Sequence, residues 1–344
     1  MDAAILAEPI QIGNAVQSLN KNTLAGIGEL RLIDRIRSIT GQTNAIIGIG
    51  DDAAVIDQPG DAYLLATIDA QVQGVHFRSA MPAREAGRRA MAVNVSDIAA
   101  MGGTPTFALV SLVLPSDTTQ EFFDELFAGL SEEAREYGTG IAGGNISSTR
   151  GPAVIDIALL GSVPKTEVVL RSGAKPGDIL AVSGPLGTAA VALRAHELRD
   201  SMLQSEQEWA ESYDVPMARS DLGVVVARKH LAHAMIDISD GLSSDLHHLC
   251  EASEVGALVR LADIRIDATA RCIAAKLGLD ASDLALNGGE DYELLAAIPP
   301  HAMREAERAG FMPIGEILPS GEGVMLESAD GKRSPLEPRG WRHF

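Results

Sequence analysis

Around residue 163 the pattern of this chain starts again, and that restart constrains the fold more than any other feature. Before it come a strand through Ala53–Ile56, a second in "AYLLATIDA" and a helix in "MPAREAGRRAMAVNVSDIAAMGG". The apolar run "TFALVSLVLP", the helix "TTQEFFDELFAGLSEEAREYG" and the strand "AVIDIALLGSV" follow. After it, "GDILAVSGPLGTAAVAL" and "AMIDISDGLSSDLHHLCEAS" each read as strand, turn and helix. "EVGALVRL" and "YELLAAI" are strands, and "HAMREAERAG" is a helix closed by Gly310. Pro82 near a helix start and Gly138 just past a helix end stand where the asymmetry of helix termini puts them. With 344 residues, each half can bury its own core. Short strands and helices interleave without the long rhythm of a doubly wound sheet, so the expected class is α/β (α+β) with mixed sheets. The expected parts are an extension over 1–25, a first domain over 26–162 and a second over 163–344. Within the first, "GELRLIDRIRSIT" carries an amphipathic helical stripe. "RDSMLQSEQEWAESYDVPMARS" reads as a surface helical excursion from the second.

Charge narrows the partners. Against 28 basic side chains stand 47 acidic ones, a formal net charge of −19, which opposes binding to nucleic acid or an anionic membrane. It leaves an anionic substrate open, because acids that hold divalent cations also count as negative. The start has no basic region before an apolar core, and no stretch approaches the roughly 18 apolar residues of a membrane span. Cys250 and Cys272, the 2 cysteines of the chain, read as reduced core thiols of a cytoplasmic protein.

The acids are not scattered. Asp51 and Asp52 in "GIGDDAAV", Asp69 in "LLATIDAQ", Asp97 in "NVSDIAAMGG" and Asp237 and Asp240 in "MIDISDG" stand at strand ends or near glycines. Glu290 and Asp291 follow a double glycine in "NGGEDYELL". Singly, each reads as a cap or turn residue; Asp240 before Gly241 could cap the next helix. Jointly, they are carboxylates in apolar surroundings with no basic sequence neighbour. Two carboxylates 4 Å apart repel by roughly 1 to 4 kcal/mol, so a converging set calls for a cation, magnesium above all. No GxxxxGK[ST] and no protein-kinase signature is present. "SGPLGTAAVAL" places glycines before a helix N-terminus, either an anion site or a close-packed turn. His76 in "GVHF" reads as a structural histidine, and Arg171 and Lys175 in "RSGAKPGD" as phosphate contacts or a solvated turn.

"GIGDDAAV", "GVHF", "AVNVSDIAAMGG", "RSGAKPGD", "IDISDGLSSDL", "GGEDYEL" and the closing "RGWRHF" together resemble the thiamine-monophosphate kinase family, over about residues 26 to 344. "SDIAAMG" and "GDDAA" are shared across the wider aminoimidazole ribonucleotide synthetase-like superfamily. The resemblance implies an N-terminal sheet that pairs across a homodimer, an α/β C-terminal half, and in-line transfer of the γ-phosphoryl of ATP to thiamine monophosphate. It implies Asp69 and Asp97 as catalytic residues, and Asp52, Thr67, Ile68, Asp69, Asp97, Asn145, Asp237 and Asp240 around magnesium (Mg2+). Gly144, Asn145, Arg171 and Ser239 would contact ATP. His76, Glu290 and Trp341 would contact thiamine monophosphate. A need for potassium (K+) stays open. Two positions depart from the family: Ile68 replaces a threonine, and Asn145 in "GGNIS" replaces a carboxylate. The alternatives are a non-catalytic nucleotide-binding homologue and another enzyme of the superfamily, such as selenophosphate synthetase. The latter would need a reactive cysteine in an N-terminal loop or at the C-terminus, where this chain has none.

Overall fold

The computed structural model describes residues 23–41 and 43–343. By contacts the chain forms two units, Thr43–Trp341 and a smaller one combining the N-terminal stretch with 342–344. The smaller unit carries α1 (Leu24–Ile27) and α2 (Glu29–Thr40), and the main-chain N–H of His343 donates to Glu29 at 3.2 Å. Of the expected α2 stripe, Leu32 and Ile33 are half-buried, whereas Ile36 and Ile39 are exposed. The expected extension falls on residues outside the description up to 22, and α1 begins at Leu24.

In the larger unit, β1 (Ala54–Ile56), β2 (Ala62–Val72), β3 (Thr104–Pro115), β4 (Gly140–Thr149) and β5 (Val154–Pro164) form one sheet, in the order β1-β2-β5-β3-β4. β3 and β4 run parallel and every other pair antiparallel, so the sheet is mixed. The second sheet holds β6 (Ile179–Val182), β7 (Ala234–Asp237), β8 (Val255–Arg260), β9 (Leu294–Ile298), β10 (Met312–Pro319), β11 (Val324–Glu327) and β12 (Arg333–Pro335). Its order is β12-β11-β8-β10-β6-β9-β7, parallel only between β8 and β11. The sequence pattern misses β4. This edge strand is exposed along nearly its whole length, so no core-facing alternation marks it.

Helix α3 (Ala83–Ala100) joins the parts of this unit. Buried almost all round beyond its first turn, it encloses Met91, Val93, Val95, Ile98 and Ala99 together with Arg89, Asn94 and Ser96. It lies on the inner face of the first sheet, with α4 (Gln120–Glu136) packed beside it and touching β4. A Cβ on Gly87 or Gly129 would overlap the main chain of the facing helix, which is why these two helices carry glycine at their crossing. The other flank of α3 meets α7 (Ser220–Arg228) and β7, bringing the second sheet to its C-terminal end. Behind the second sheet, α8 (Leu242–Ser253) buries Leu242, Leu246 and Leu249.

Alternation along β2 sets two faces. Leu65 and Gln71 are buried on the inner face, which also carries Thr67 and Asp69; Ile68 points outward and is 65% exposed. Phe107, Leu109 and Ser111 of β3 share that outer face, and it is broadly apolar and open in the single chain. Cys250 is buried, and burial pushes its thiol up to about 12. Cys272 is exposed, so the expectation of two core thiols holds for only one of them: the helix holding Cys272 packs through Ala270, Ile273 and Ala274 instead.

Candidate active site

The chain brings three of the expected carboxylates to one point. Oxygens of Asp52, Asp97 and Asp237 all lie within 4.8 Å of one another. Asp52 arrives on the turn before β1, where the main-chain N–H of Ala53 donates to the Met101 sulfur at 3.1 Å and so ties that turn to the end of α3. Asp97 stands in the last turn of α3, and Asp237 ends β7. Neighbouring hydroxyls aim two of them. Thr67 Oγ1 donates to Asp97 at 2.6 Å, and Ser96 Oγ donates to Asp237 at 2.5 Å.

Such crowding is costly without a cation. Burial, then the charges of Asp237, Asp69 and Asp52, raise the Asp97 carboxyl well above its ordinary range. Burial and Asp52 push Asp237 up to about 7, and burial followed by Asp52 does the same to Asp51. Asp52 Oδ2 is fully buried and has no hydrogen-bond partner among the described residues. An orphaned buried carboxylate oxygen facing two further carboxylates is a donor set suited to a hard divalent cation such as magnesium. The residues present therefore fit the metal that the sequence suggests.

One premise of the sequence argument does not survive. The acids have no basic neighbour in sequence, yet Arg171 Nη2 donates to Asp52 Oδ1 at 2.6 Å from 119 residues away. Its main-chain N–H also donates to Asp51 Oδ2, at 3.2 Å. Burial opposes the Arg171 charge, but Asp52 and Asp51 outweigh it and hold the guanidinium above its ordinary range. The loop from β5 to β6 brings a counter-charge that sequence adjacency could not reveal.

A second set of motifs meets alongside. The main-chain N–H of Glu290 donates to Ser239 O at 2.7 Å, and that of Trp341 donates to Asp240 O at 3.0 Å. "ISDG", "GGEDY" and "RGW" are thereby stitched together through their backbones. Glu290 and Tyr292 adopt φ of 65° and 49°, a left-handed conformation that costs non-glycine residues energy and often marks a functional segment. Trp341 is 51% exposed. Asp240 does not cap α8. Instead Asp245, in the first turn of α8, reaches back and accepts from the main-chain N–H groups of Asp240 and Gly241 at 3.1 and 3.0 Å. Asp240, Asp245 and His248 form a further group close enough to share a cation.

Other expected residues sit on different elements. His76 Nδ1 accepts from the main-chain N–H of Val72 at 3.0 Å, closing the turn after β2. Asn145 pairs in register with Ser111, then Asp156, then Ala70, so three strand spacings, roughly 14 Å, separate it from β2. Asn145 and Ile68 sit on the outer face, opposite to Thr67 and Asp69. Within one chain they are not gathered with the carboxylates. Gly144 is needed for packing, since a Cβ there would overlap the Val110 main chain. The glycine turn before α5 (Thr188–Glu197) proves close-packed, with Asp291 Oδ2 accepting from the Gly187 N–H at 2.8 Å. A carboxylate of the chain itself thus takes the place an external anion would want.

Sequence reasoning misses Arg89. Buried in α3, it donates from Nε to Gln71 Oε1 at 3.2 Å and from Nη1 to the Asp214 carbonyl at 3.3 Å, and its Nη2 contacts Glu290 Oε2. Asp214 in turn accepts from Arg78 Nη2, at 2.8 and 2.7 Å, and pairs with His196 at 3.0 Å. Arg89 follows Arg84 and Arg88 in the first half of α3, so nothing in the local sequence set it apart from its half-buried basic neighbours.

Comparison with known proteins completes the description. Residues 50–163 match the family model "AIR synthase related protein, N-terminal domain", and 175–326 match the corresponding C-terminal domain. Thiamine-monophosphate kinase of Rhodopirellula baltica is 35% identical, covering 86% of this chain and 91% of that one. The enzyme of that name from Aquifex aeolicus is 32% identical over 93% and 99% of the two chains. A solved structure described as "AaThiL complexed with AMPPCP and TMP" superposes with a TM-score of 0.84 at 33% identity, covering 94% of this chain and 99% of the other.

Proposed function

The chain belongs to the thiamine-monophosphate kinase family, and from that membership we infer that it transfers the γ-phosphoryl group of ATP to thiamine monophosphate, giving thiamine diphosphate and ADP. The observation that carries the reading is the convergence of Asp52, Asp97 and Asp237 beside Arg171, with one buried carboxylate oxygen unmatched. In the transfer a substrate phosphate oxygen forms a bond to the γ-phosphorus while its bond to the β,γ-bridging oxygen breaks. Such a reaction asks the protein for alignment and charge neutralisation rather than covalent chemistry. Asp52, Asp97 and Asp237 would hold magnesium, with Thr67 orienting Asp97 and Ser96 orienting Asp237. Asp69, two residues along β2 on the same face, and Asp240 would extend the set. Magnesium, when bound, supplies positive charge to the phosphate oxygens.

Arg171 would exchange its hold on Asp52 for a nucleotide phosphate, and Ser239 would contact the nucleotide as well. Glu290 and Trp341, joined through the 239–241 segment, would receive the thiamine moiety, with His76 at the end of β2. Gly144 and Asn145 approach a nucleotide from the far edge of the first sheet. A homodimer in which the open outer faces meet accounts for them, and for the exposure of Ile68, Phe107 and Leu109. We place the protein in the cytoplasm, which its two unpaired cysteines support. Among the described residues no helix is long and apolar enough to cross a membrane.

The test is ADP release with thiamine monophosphate or free thiamine as acceptor, at saturating ATP and magnesium. Turnover of the monophosphate alone is expected. Equal turnover of free thiamine, or none of the monophosphate, would overturn the reading.

A further inference from the structure

Arg89 has no part in the cation cluster, yet it is one of the most deeply buried charges in the protein, 6% exposed. Each of its three nitrogens is engaged with a different element. Gln71 on β2 takes Nε, the carbonyl of Asp214 in the stretch before α7 takes Nη1, and Glu290 takes Nη2. Gln71 is itself 2% exposed. Arg78 and His196 fix the carboxylate of Asp214, so the platform around the guanidinium is itself anchored. Asp69 and Tyr292 also face it closely enough to influence its charge. Burial alone would penalise this charge heavily, so its retention needs a reason.

Glu290 supplies one. Its side chain is 35% exposed, against 7% for Arg89. Oε2 is held from inside by the guanidinium, whereas Oε1 has no partner among the described residues. The main chain of Glu290 is held as well, by Ser239 at 2.7 Å. A carboxylate pinned by one oxygen presents the other in a fixed direction, as an acceptor for a donor brought by a ligand. Arg89 stands eight residues, about 12 Å, before Asp97 on the same helix. One rigid element therefore bears both the cation cluster and the support for Glu290.

We propose that Arg89 is a positioning residue for the organic end of the phosphate acceptor: it keeps the Glu290 side chain aimed, with Oε1 offered to an amino group such as that of an aminopyrimidine. The proposal rests on the kinase reading above, with thiamine monophosphate as acceptor. A guanidinium fork engages three directions at once, which a lysine ammonium on a flexible stem does only in part.

The experiment is steady-state kinetics of the full chain and of Arg89→Met, Arg89→Lys, Glu290→Gln and the Arg89→Met/Glu290→Gln pair, with melting curves for each. Arg89→Met is expected to raise KM for thiamine monophosphate by up to about 100-fold while KM for ATP changes less than about 2-fold. Arg89→Lys, which keeps the charge and one donor, should recover part of that loss. The double variant should be no worse than Glu290→Gln alone, since both act through one carboxylate. Should Arg89→Met fail to fold, Arg89→Lys and Glu290→Gln carry the same comparison. KM for ATP rising as much as KM for the acceptor, or additive losses in the double variant, would overturn the positioning role alone. Absence of turnover by the unaltered protein would overturn the kinase reading and this proposal with it.

Discussion

Replacing Asp97 by Asn should strengthen the metal-free fold while abolishing most of the activity. The two effects have one origin. Asp97, Asp52 and Asp237 present oxygens within 4.8 Å of one another. At that separation, with an effective dielectric of 20, each ionised pair repels by about 3.5 kcal/mol. Arg171 offsets Asp52, so the uncompensated repulsion is mainly that between Asp97 and Asp237. Asn keeps the shape and can still accept the hydrogen bond from Thr67. At pH 8 without magnesium, the variant should therefore be more stable, by up to about 3 kcal/mol, a shift of up to several degrees in Tm. The pH dependence follows from linkage. Both carboxyls are raised in the folded state, Asp237 to about 7 and Asp97 well above its ordinary range, so folding takes up protons; through Asp237 the wild-type protein loses stability as pH rises from about 4 to 7. As pH falls the carboxyls protonate, their repulsion is lost and the advantage of Asn fades. The assay is thermal melting of both proteins with a chelator at pH 5 and pH 8, then again with magnesium. Magnesium should stabilise the wild type more than the variant. A variant less stable than wild type at pH 8 would refute the reasoning, leaving Asp97 as a structural partner of Thr67.

Arg171→Met should leave Asp52 buried without its partner and destabilise the metal-free protein by about 3 to 5 kcal/mol, with KM for ATP raised. Melting curves that match wild type would contradict it. Asn145→Asp should lower the magnesium concentration needed for half-maximal rate, because a carboxylate attracts the cation more than an amide does. An unchanged requirement in a magnesium titration would remove Asn145 from the metal set. Phe107→Asp, on the open face of the first sheet, should convert a dimer to a monomer in sedimentation velocity, and a dimer that persists would place the interface elsewhere.

What the sequence determined by itself was local. The restart near residue 163, the capped helices and the mixed sheets follow from periodicity and turn chemistry, which are properties of neighbouring residues. The acids were legible as a group for the same reason: a carboxylate in an apolar run is conspicuous wherever it lies. Tertiary structure decided which of them meet. Ser96 aims Asp237 from 141 residues away and Arg171 reaches Asp52 across 119, distances over which no spacing rule operates. Sequence reading counted those carboxylates as lacking counter-charge, and the folded loop supplied one. Asp291 and Gly187 show the converse, an apparent anion site filled from 104 residues away. β4 stayed hidden because an edge strand with both faces open carries no core-facing alternation to read. Arg89 stayed hidden because its meaning lies in its three partners, and sheet register together with the packing of α3 brings those to one guanidinium.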